Sequence, residues 1–196
     1  MRAALVAASL ALLVLAGCDD VPEPGKTDVD VDTAELRRLK EEARIDPCLE
    51  GPGGGELPEL TLPCLGGGQS VDLSTLRGPL VINTWASNCT PCKQEMPALQ
   101  SFYESYGDRV GVLGIDFIDT QPGAALALAE ELGATYPSLA DPEGLLLEQD
   151  DVRIVNANPQ FVLLDAGGAV VHQQAGGLES VDEVVEMVNK HLGADL

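Results

Sequence analysis

The sequence predicts an α/β domain, with one sheet covered by helices on both faces. Three observations predict it. Apolar runs of strand length alternate with helical stretches in the order β-α-β-α-β-β-α. Hydrophobic residues make up 45% of the 196, enough to build a core, so wholesale disorder is excluded. Two short apolar runs flank Asp165-Ala166-Gly167-Gly168, a hairpin signal.

Taken in order, the chain opens with Arg2, an apolar run from Ala3 to Leu15, and Ala16-Gly17-Cys18. A short positive region, a short apolar stretch and small residues before a cleavage point describe an export signal over residues 1–17. The run is shorter than the roughly 20 apolar residues a membrane span needs. Leu15-Ala16-Gly17-Cys18 resembles a bacterial lipobox, which implies that Cys18 becomes the lipidated first residue of the mature chain. A plain secretory peptide with an incidental Cys18 is the alternative. Either way the mature chain lies outside the cytoplasm, where disulfides persist.

Residues 18–47 read as an acidic tether. Pro22, Pro24 and Gly25 interrupt its first half, which cannot bury enough apolar surface to order the backbone. Asp28, Asp30 and Asp32 alternate as in a calcium loop, but Thr33 and Leu39 stand where Gly and Glu are required. Residues 33–44 fit a short helix with Thr33 as N-cap and Leu36 and Leu39 on one side. Gly51-Pro52-Gly53-Gly54-Gly55 breaks any helix or strand. The folded domain is expected over residues 48–196.

Within it, residues 80–85 form an apolar strand. A helix follows over 91–106, with Met96, Leu99, Phe102 and Tyr103 spaced for one buried face and Pro97 expected to kink it. Residues 110–117 form a second strand, and the Ala/Leu-rich stretch 124–132 a second helix. Strands at 161–164 and 170–173 flank the hairpin turn. The last helix runs over 180–192, with Ser180 as N-cap and Val184, Val185, Met187 and Val188 inward.

The net charge is -21, from 32 acidic and 11 basic residues. Such a balance repels phosphate backbones and gives no polybasic hold on anionic lipid, so nucleic acid is excluded as a partner. Membrane attachment must then come from the anchor at Cys18.

The chemistry sits in Trp85-Ala86-Ser87-Asn88-Cys89-Thr90-Pro91-Cys92-Lys93. Two cysteines three apart at a strand-to-helix junction put the first thiol at a helix N-terminus. Unpaired backbone N–H groups and the helix dipole there stabilise a thiolate. Cys89 is therefore the expected exposed nucleophile. Cys92, one turn inside, resolves the mixed disulfide. Pro91 suits the first turn, where no intrahelical N–H is needed. A zinc site would want four ligands, yet the chain offers only His172 and His191 and no second such motif. A c-type haem would want His after Cys92, where Lys93 stands. A purely structural disulfide here would close a very small loop.

The run Trp85-Ala86-x-x-Cys89-x-Pro91-Cys92-x-x-Glu95-x-Pro97 resembles the TlpA/ResA-like branch of the thioredoxin superfamily. Asn83 falls where cytoplasmic thioredoxins carry a buried Asp, and the likeness spans about residues 57–192. The resemblance implies a thioredoxin-like fold: a central mixed β-sheet flanked by helices on both faces, with an insert at about 123–152. It implies a membrane-anchored, extracytoplasmic thiol–disulfide oxidoreductase with no cofactor beyond the redox-active Cys89–Cys92 disulfide. Its partners would be a disulfide-bearing protein substrate, usually reduced, for example in cytochrome c maturation, and a membrane electron donor. A monomer is expected.

The family also places a cis proline beside the dithiol, and Asn158-Pro159-Gln160-Phe161 matches that position. It would present a backbone edge to substrate; a trans proline opening an edge strand is the alternative. Substrate-facing residues are then Trp85, Asn88, Thr90, Pro91, Asn158 and Pro159. Some relatives carry an acid that moves a proton to the buried thiol. Asp119 matches it best in position and Asp116 competes, a solvated loop acid being the other reading of each. One departure stands out: Asn88 occupies a place where the family usually has an aromatic residue, most often Trp.

Cys48 and Cys64 remain, and outside the cytoplasm two leftover thiols most simply pair. That bond would close a loop of about 16 residues, worth roughly 3 kcal/mol on the chain-entropy model. A second redox pair is the rival reading. At the level of the whole chain, two further functions compete with thiol–disulfide exchange. A peroxidase-like redoxin would need Pro-x-x-x-Thr-x-x-Cys, a spacing that Thr84 and Cys89 do not supply. A binding lipoprotein with a merely structural disulfide is the other.

Overall fold

The computed structural model describes residues 29–150 and 152–196. The export signal, Cys18 and residues 19–28 of the tether lie outside the described residues.

Five strands make the central sheet, in the order β5-β4-β3-β6-β7. The middle strand, β3 (Leu80–Trp85), is the apolar run that leads into the dithiol. On one side lie β4 (Gly111–Phe117) and β5 (Ser138–Asp141), both parallel to it. On the other lie β6 (Gln160–Leu164) and β7 (Val170–Ala175), antiparallel. The sheet is therefore mixed. The period of two in β3 sends Val81, Asn83 and Trp85 to one face and Ile82 and Thr84 to the other.

Four α-helices cover the first face: α1 (Ala34–Ala43), α2 (Thr90–Tyr106), α3 (Pro122–Leu132) and α4 (Val181–Leu192). Leu36, Met96, Leu99, Phe102, Leu126 and Val184 pack there with Val81, Val112, Phe161 and Leu163. The opposite face carries Ile82, Leu113, Ile115, Phe117 and Val162. Its cover is a two-strand hairpin, β1 (Thr61–Leu62) with β2 (Val71–Asp72), and two 3-10 turns at Leu73–Thr75 and Leu145–Glu148. Helical turns thus flank both faces, unequally. The insert consists of α3, the extra edge strand β5 and the second 3-10 turn.

One expectation changes. The folded body begins well before residue 48, because Val31, Leu36, Ala43 and Ile45 are buried in the core and α1 packs on α3. Residues 29–47 belong to the domain and not to a tether. Thr33 caps α1 by accepting from the Leu36 N–H at 3.2 Å. Pro97, where a kink is expected, lies inside α2, which continues from Thr90 to Tyr106. The carbonyl that loses its partner belongs to Lys93, and Lys93 and Pro97 both lie on the exposed side of the helix.

Cys48 is joined to Cys64, with 5.9 Å between their Cα atoms. The segment around Cys64 runs along the outer edge of β5: the Ala140 N–H donates to the Pro63 carbonyl and the Leu65 N–H to the Ser138 carbonyl, each at 2.9 Å. That edge is covered rather than left as an open template. The glycine-rich run is folded as well. Gly53 and Gly55 donate to the carbonyls of Thr75 and Ser74, and a Cβ on Gly51 would collide with the Thr75 carbonyl.

Candidate active site

Ala86, Ser87 and Asn88 connect the end of β3 to Cys89, which is the N-cap of α2. The Cys92 N–H donates to Cys89 Sγ at 3.2 Å, so one of the free N–H groups of the helix start is aimed at the sulfur. The two cysteines are joined by a disulfide, their Cα atoms 5.3 Å apart. Their surroundings differ sharply. Cys89 is partly exposed and its neighbours Asn88, Thr90, Pro91 and Lys93 are exposed, whereas Cys92 is 0% exposed.

Trp85 is not on this rim, contrary to its expected contact with substrate. It is 1% exposed and packs in the helix-covered core, because the strand period turns it inward. Gly114 on β4 makes room for the ring: a Cβ there would stand 2.7 Å from the indole Nε1.

Three acids lie around the dithiol. Asp119 is buried and braces the loop, its Oδ2 accepting from the Ser87 N–H at 2.7 Å and its Oδ1 from the Gln121 N–H at 2.9 Å. Asp116 pairs in register with Trp85 and is buried on the helix-covered side, with Oδ1 lacking any partner. Burial, then the neighbouring Asp119, pushes its carboxyl well above the usual range. Neither is the solvated loop acid of the alternative reading.

The acid on the same helix face as Cys92 is a third one, Glu95, three residues on. It is 0% exposed. Asn83 Nδ2 donates to its Oε1 at 2.8 Å, while Oε2 has no hydrogen-bond partner. Burial raises its carboxyl to about 8, against the Asn83 amide, which favours the ionised form. Tyr136, its hydroxyl buried and unpartnered, is shifted upward by burial and then by Glu95. The sequence held a signal for Glu95: a charged residue on the buried stripe of Cys92, Met96 and Leu99. Asp119 and Asp116 drew the proton-handling assignment instead because they match in position an acid that some relatives carry.

The Asn158–Pro159 peptide is cis. Asn158 is half-buried and donates through Nδ2 to the Phe117 carbonyl at 3.2 Å, and Pro159 is buried. The cis-proline loop and the dithiol helix both border Gly177 in the segment between β7 and α4, where a Cβ would lie within 4 Å of Glu95 Oε2, Pro159 Cγ and the Pro91 carbonyl. Gln160 holds the loop from behind. Its amide donates to the carbonyls of Val155 (2.9 Å) and Ala157 (2.6 Å) and accepts from the Val155 N–H (3.0 Å). Sequence reasoning passed over Gln160, although an amide directly after the proline and before an apolar strand is its signature.

The arrangement is a strand–loop–helix unit carrying an exposed sulfur, a buried sulfur, a buried protonatable acid and a cis-proline loop. Residues 54–173 match the model of the AhpC/TSA family. The thioredoxin-like protein YneN of Bacillus subtilis is 30% identical over 120 residues, 60% of this chain and 68% of that protein. A thiol:disulfide interchange protein DsbE homologue of Paracoccus denitrificans is 34% identical over 132 residues, 66% of this chain and 69% of that protein. Among solved structures, a thioredoxin-like protein of Porphyromonas gingivalis superposes with a TM-score of 0.55 at 25% identity, covering 72% of this chain and 94% of that one. The chain belongs to the AhpC/TSA family, among its thioredoxin-like thiol–disulfide oxidoreductases.

Proposed function

We propose that the chain is an extracytoplasmic reductant of protein disulfides, held to the membrane through a lipid on Cys18. The observation that carries the reading is the asymmetry of the pair: Cys89 partly exposed as a helix N-cap, Cys92 wholly buried on the face of Glu95. The Cys89 thiolate attacks one sulfur of the substrate disulfide, whose S–S bond breaks. The other substrate sulfur leaves as a thiolate and takes a proton from water. Cys92 then gives its proton to the ionised form of Glu95, a minor species at neutral pH because burial raises this carboxyl to about 8. Its thiolate attacks Cys89 and the mixed disulfide breaks. The second substrate sulfur leaves as a thiolate that takes up the proton Glu95 received, which returns Glu95 to its ionised form. The substrate gains two electrons and the chain keeps the Cys89–Cys92 disulfide. A membrane-borne dithiol donor must return two electrons each cycle. An apocytochrome c disulfide is one substrate that the family resemblance offers.

Asn88, Thr90 and Pro91 form the exposed rim beside Cys89, with the Asn158–Pro159 backbone opposite. The location is supported by the resemblance of residues 1–17 to an export signal and of Leu15-Ala16-Gly17-Cys18 to a lipobox. Reduction of insulin disulfides by wild type and Cys89→Ser tests the reading. The variant should lose at least about 100-fold in rate, as expected when a nucleophile is removed. A folded, reduced wild type without activity would leave the binding-lipoprotein reading. Turnover of hydrogen peroxide dependent on Cys89 would favour a peroxidase.

A further inference from the structure

The turn after β4 holds a β-branched residue where glycine or asparagine is the ordinary choice. Ile118 has a φ of 54°, a region that β-branched side chains avoid. Core packing does not account for it, since Ile118 is 36% exposed. Its side chain lies over Gly144: a Cβ there would be 3.0 and 3.1 Å from Ile118 Cγ1 and Cδ1, and 3.6 Å from Leu147 Cδ1. Leu147 is itself 40% exposed. Two large apolar side chains therefore stand together at the surface.

Their position relative to the dithiol is set by the backbone of the same turn. On one side of Ile118, the Phe117 carbonyl accepts from Asn158 of the cis-proline loop. On the other, Asp119 accepts from the Ser87 N–H of the dithiol loop. Ile118 itself donates to the Asp141 carbonyl at 2.9 Å. The turn is clamped from three directions and touches both walls of the redox site. A strained residue that is fixed by its neighbours and buries little is characteristic of a functional surface.

We propose that Ile118, with Leu147 behind it, is a specificity-determining residue that receives an apolar side chain flanking the disulfide of the protein substrate. Asn88, polar and exposed at the rim, offers no such contact. The inference rests on the thiol–disulfide exchange proposed above and adds the chemistry of what is recognised.

The test uses the full chain, pre-reduced, in single-turnover reactions followed by the fluorescence of Trp85, the one tryptophan. Two disulfide peptides are compared, identical except for Leu or Ser beside the cysteine, together with bis(2-hydroxyethyl) disulfide. Wild type should react at least about fivefold faster with the Leu peptide, the scale of a partly buried apolar contact. Ile118→Gly should bring the ratio below about twofold while holding or raising the melting temperature, because glycine relieves the backbone. Leu147→Ser should lower the ratio too. A merely structural Ile118 would slow both peptides alike and keep the ratio, which overturns the proposal. A wild-type ratio near one overturns it as well. Failure of wild type to react even with bis(2-hydroxyethyl) disulfide would instead sink the exchange reading beneath it.

Discussion

Glu95 is held in its protonated form by the same burial that shields Cys92, and this couples the chemistry of the site to its stability. In the unfolded chain its carboxyl ionises near the ordinary value of 4.5, and in the fold near 8. Below the first value both states are protonated and the group is neutral toward stability. Between the two the fold holds a proton that the unfolded chain has released, so stability falls as pH rises through this window. At about 1.4 kcal/mol per unit the loss is on the order of a few kcal/mol. Glu95→Gln keeps the Asn83 contact and cannot ionise. Its melting temperature should fall less than that of wild type between pH 5 and 8, with a residual slope from Asp116, which burial also raises. The same variant should resolve the mixed disulfide about 100-fold more slowly, the usual contribution of a positioned proton acceptor. Differential scanning at several pH values and quenched single-turnover assays check the two effects separately. An unchanged slope would show that the Glu95 proton is not set by the fold.

At the scale of elements, the loop before β6 owes its shape to one side chain. Gln160 satisfies three backbone groups of Val155 and Ala157 while its own N–H reaches Thr84 Oγ1 at 3.2 Å. Gln160→Leu keeps the volume and strands those three groups. It should cost about 1–3 kcal/mol, with faster amide exchange confined to residues 153–158. Exchange that speeds across the whole sheet would refute a local role. Elements with a strong period were legible in the sequence: β3, α2, β4, α3, the β6–β7 hairpin and α4 all stand within a few residues of their expected positions. The dithiol junction was legible too, since Cys89 and Pro91 satisfy the start of α2 by themselves. β5 was not, because Ser138-Leu139-Ala140-Asp141 has neither alternation nor β-branched residues, and its pairing with β4 and the Cys64 segment decides it. β1 and β2, two residues each, exist only through their mutual register. Glu95 was harder to read because Asn83, the partner that makes its burial tolerable, lies on a different element. Gln160, by contrast, serves its own loop, and its role depends on how that loop folds back.

For the molecule as a whole, the N-terminal segment is a belt closed by one covalent bond. α1 packs on α3, the Asp46 N–H donates to the Thr135 carbonyl at 2.8 Å, and Tyr103 donates its hydroxyl to Asp46 at 2.7 Å. The belt then crosses the sheet edge at Cys48–Cys64, both sulfurs buried. Lys40, half-buried, points its ammonium at Cys64 Sγ and the Gly67 carbonyl, 2.9 and 2.8 Å away, which ties α1 to the same corner. The bond is remote from the redox face, because Cys64 bridges Leu139 on the outer edge of β5 while Cys89 follows the central β3. Cutting it should therefore act on the unfolded chain and the belt, and spare the exchange chemistry. With a sequence separation of 16, the chain-entropy model gives about 3 kcal/mol. At about 2–4 °C per kcal/mol for a domain of this size, the double variant Cys48→Ser/Cys64→Ser should melt roughly 6–12 °C lower. Its single-turnover rate with a small disulfide should stay within about twofold of wild type, as expected for sites without shared partners. Equal stability would mean that the belt holds through α1 alone. A rate that collapses while the fold persists would instead make Cys48–Cys64 a relay to Cys89, the one result that turns this bond from a staple into chemistry.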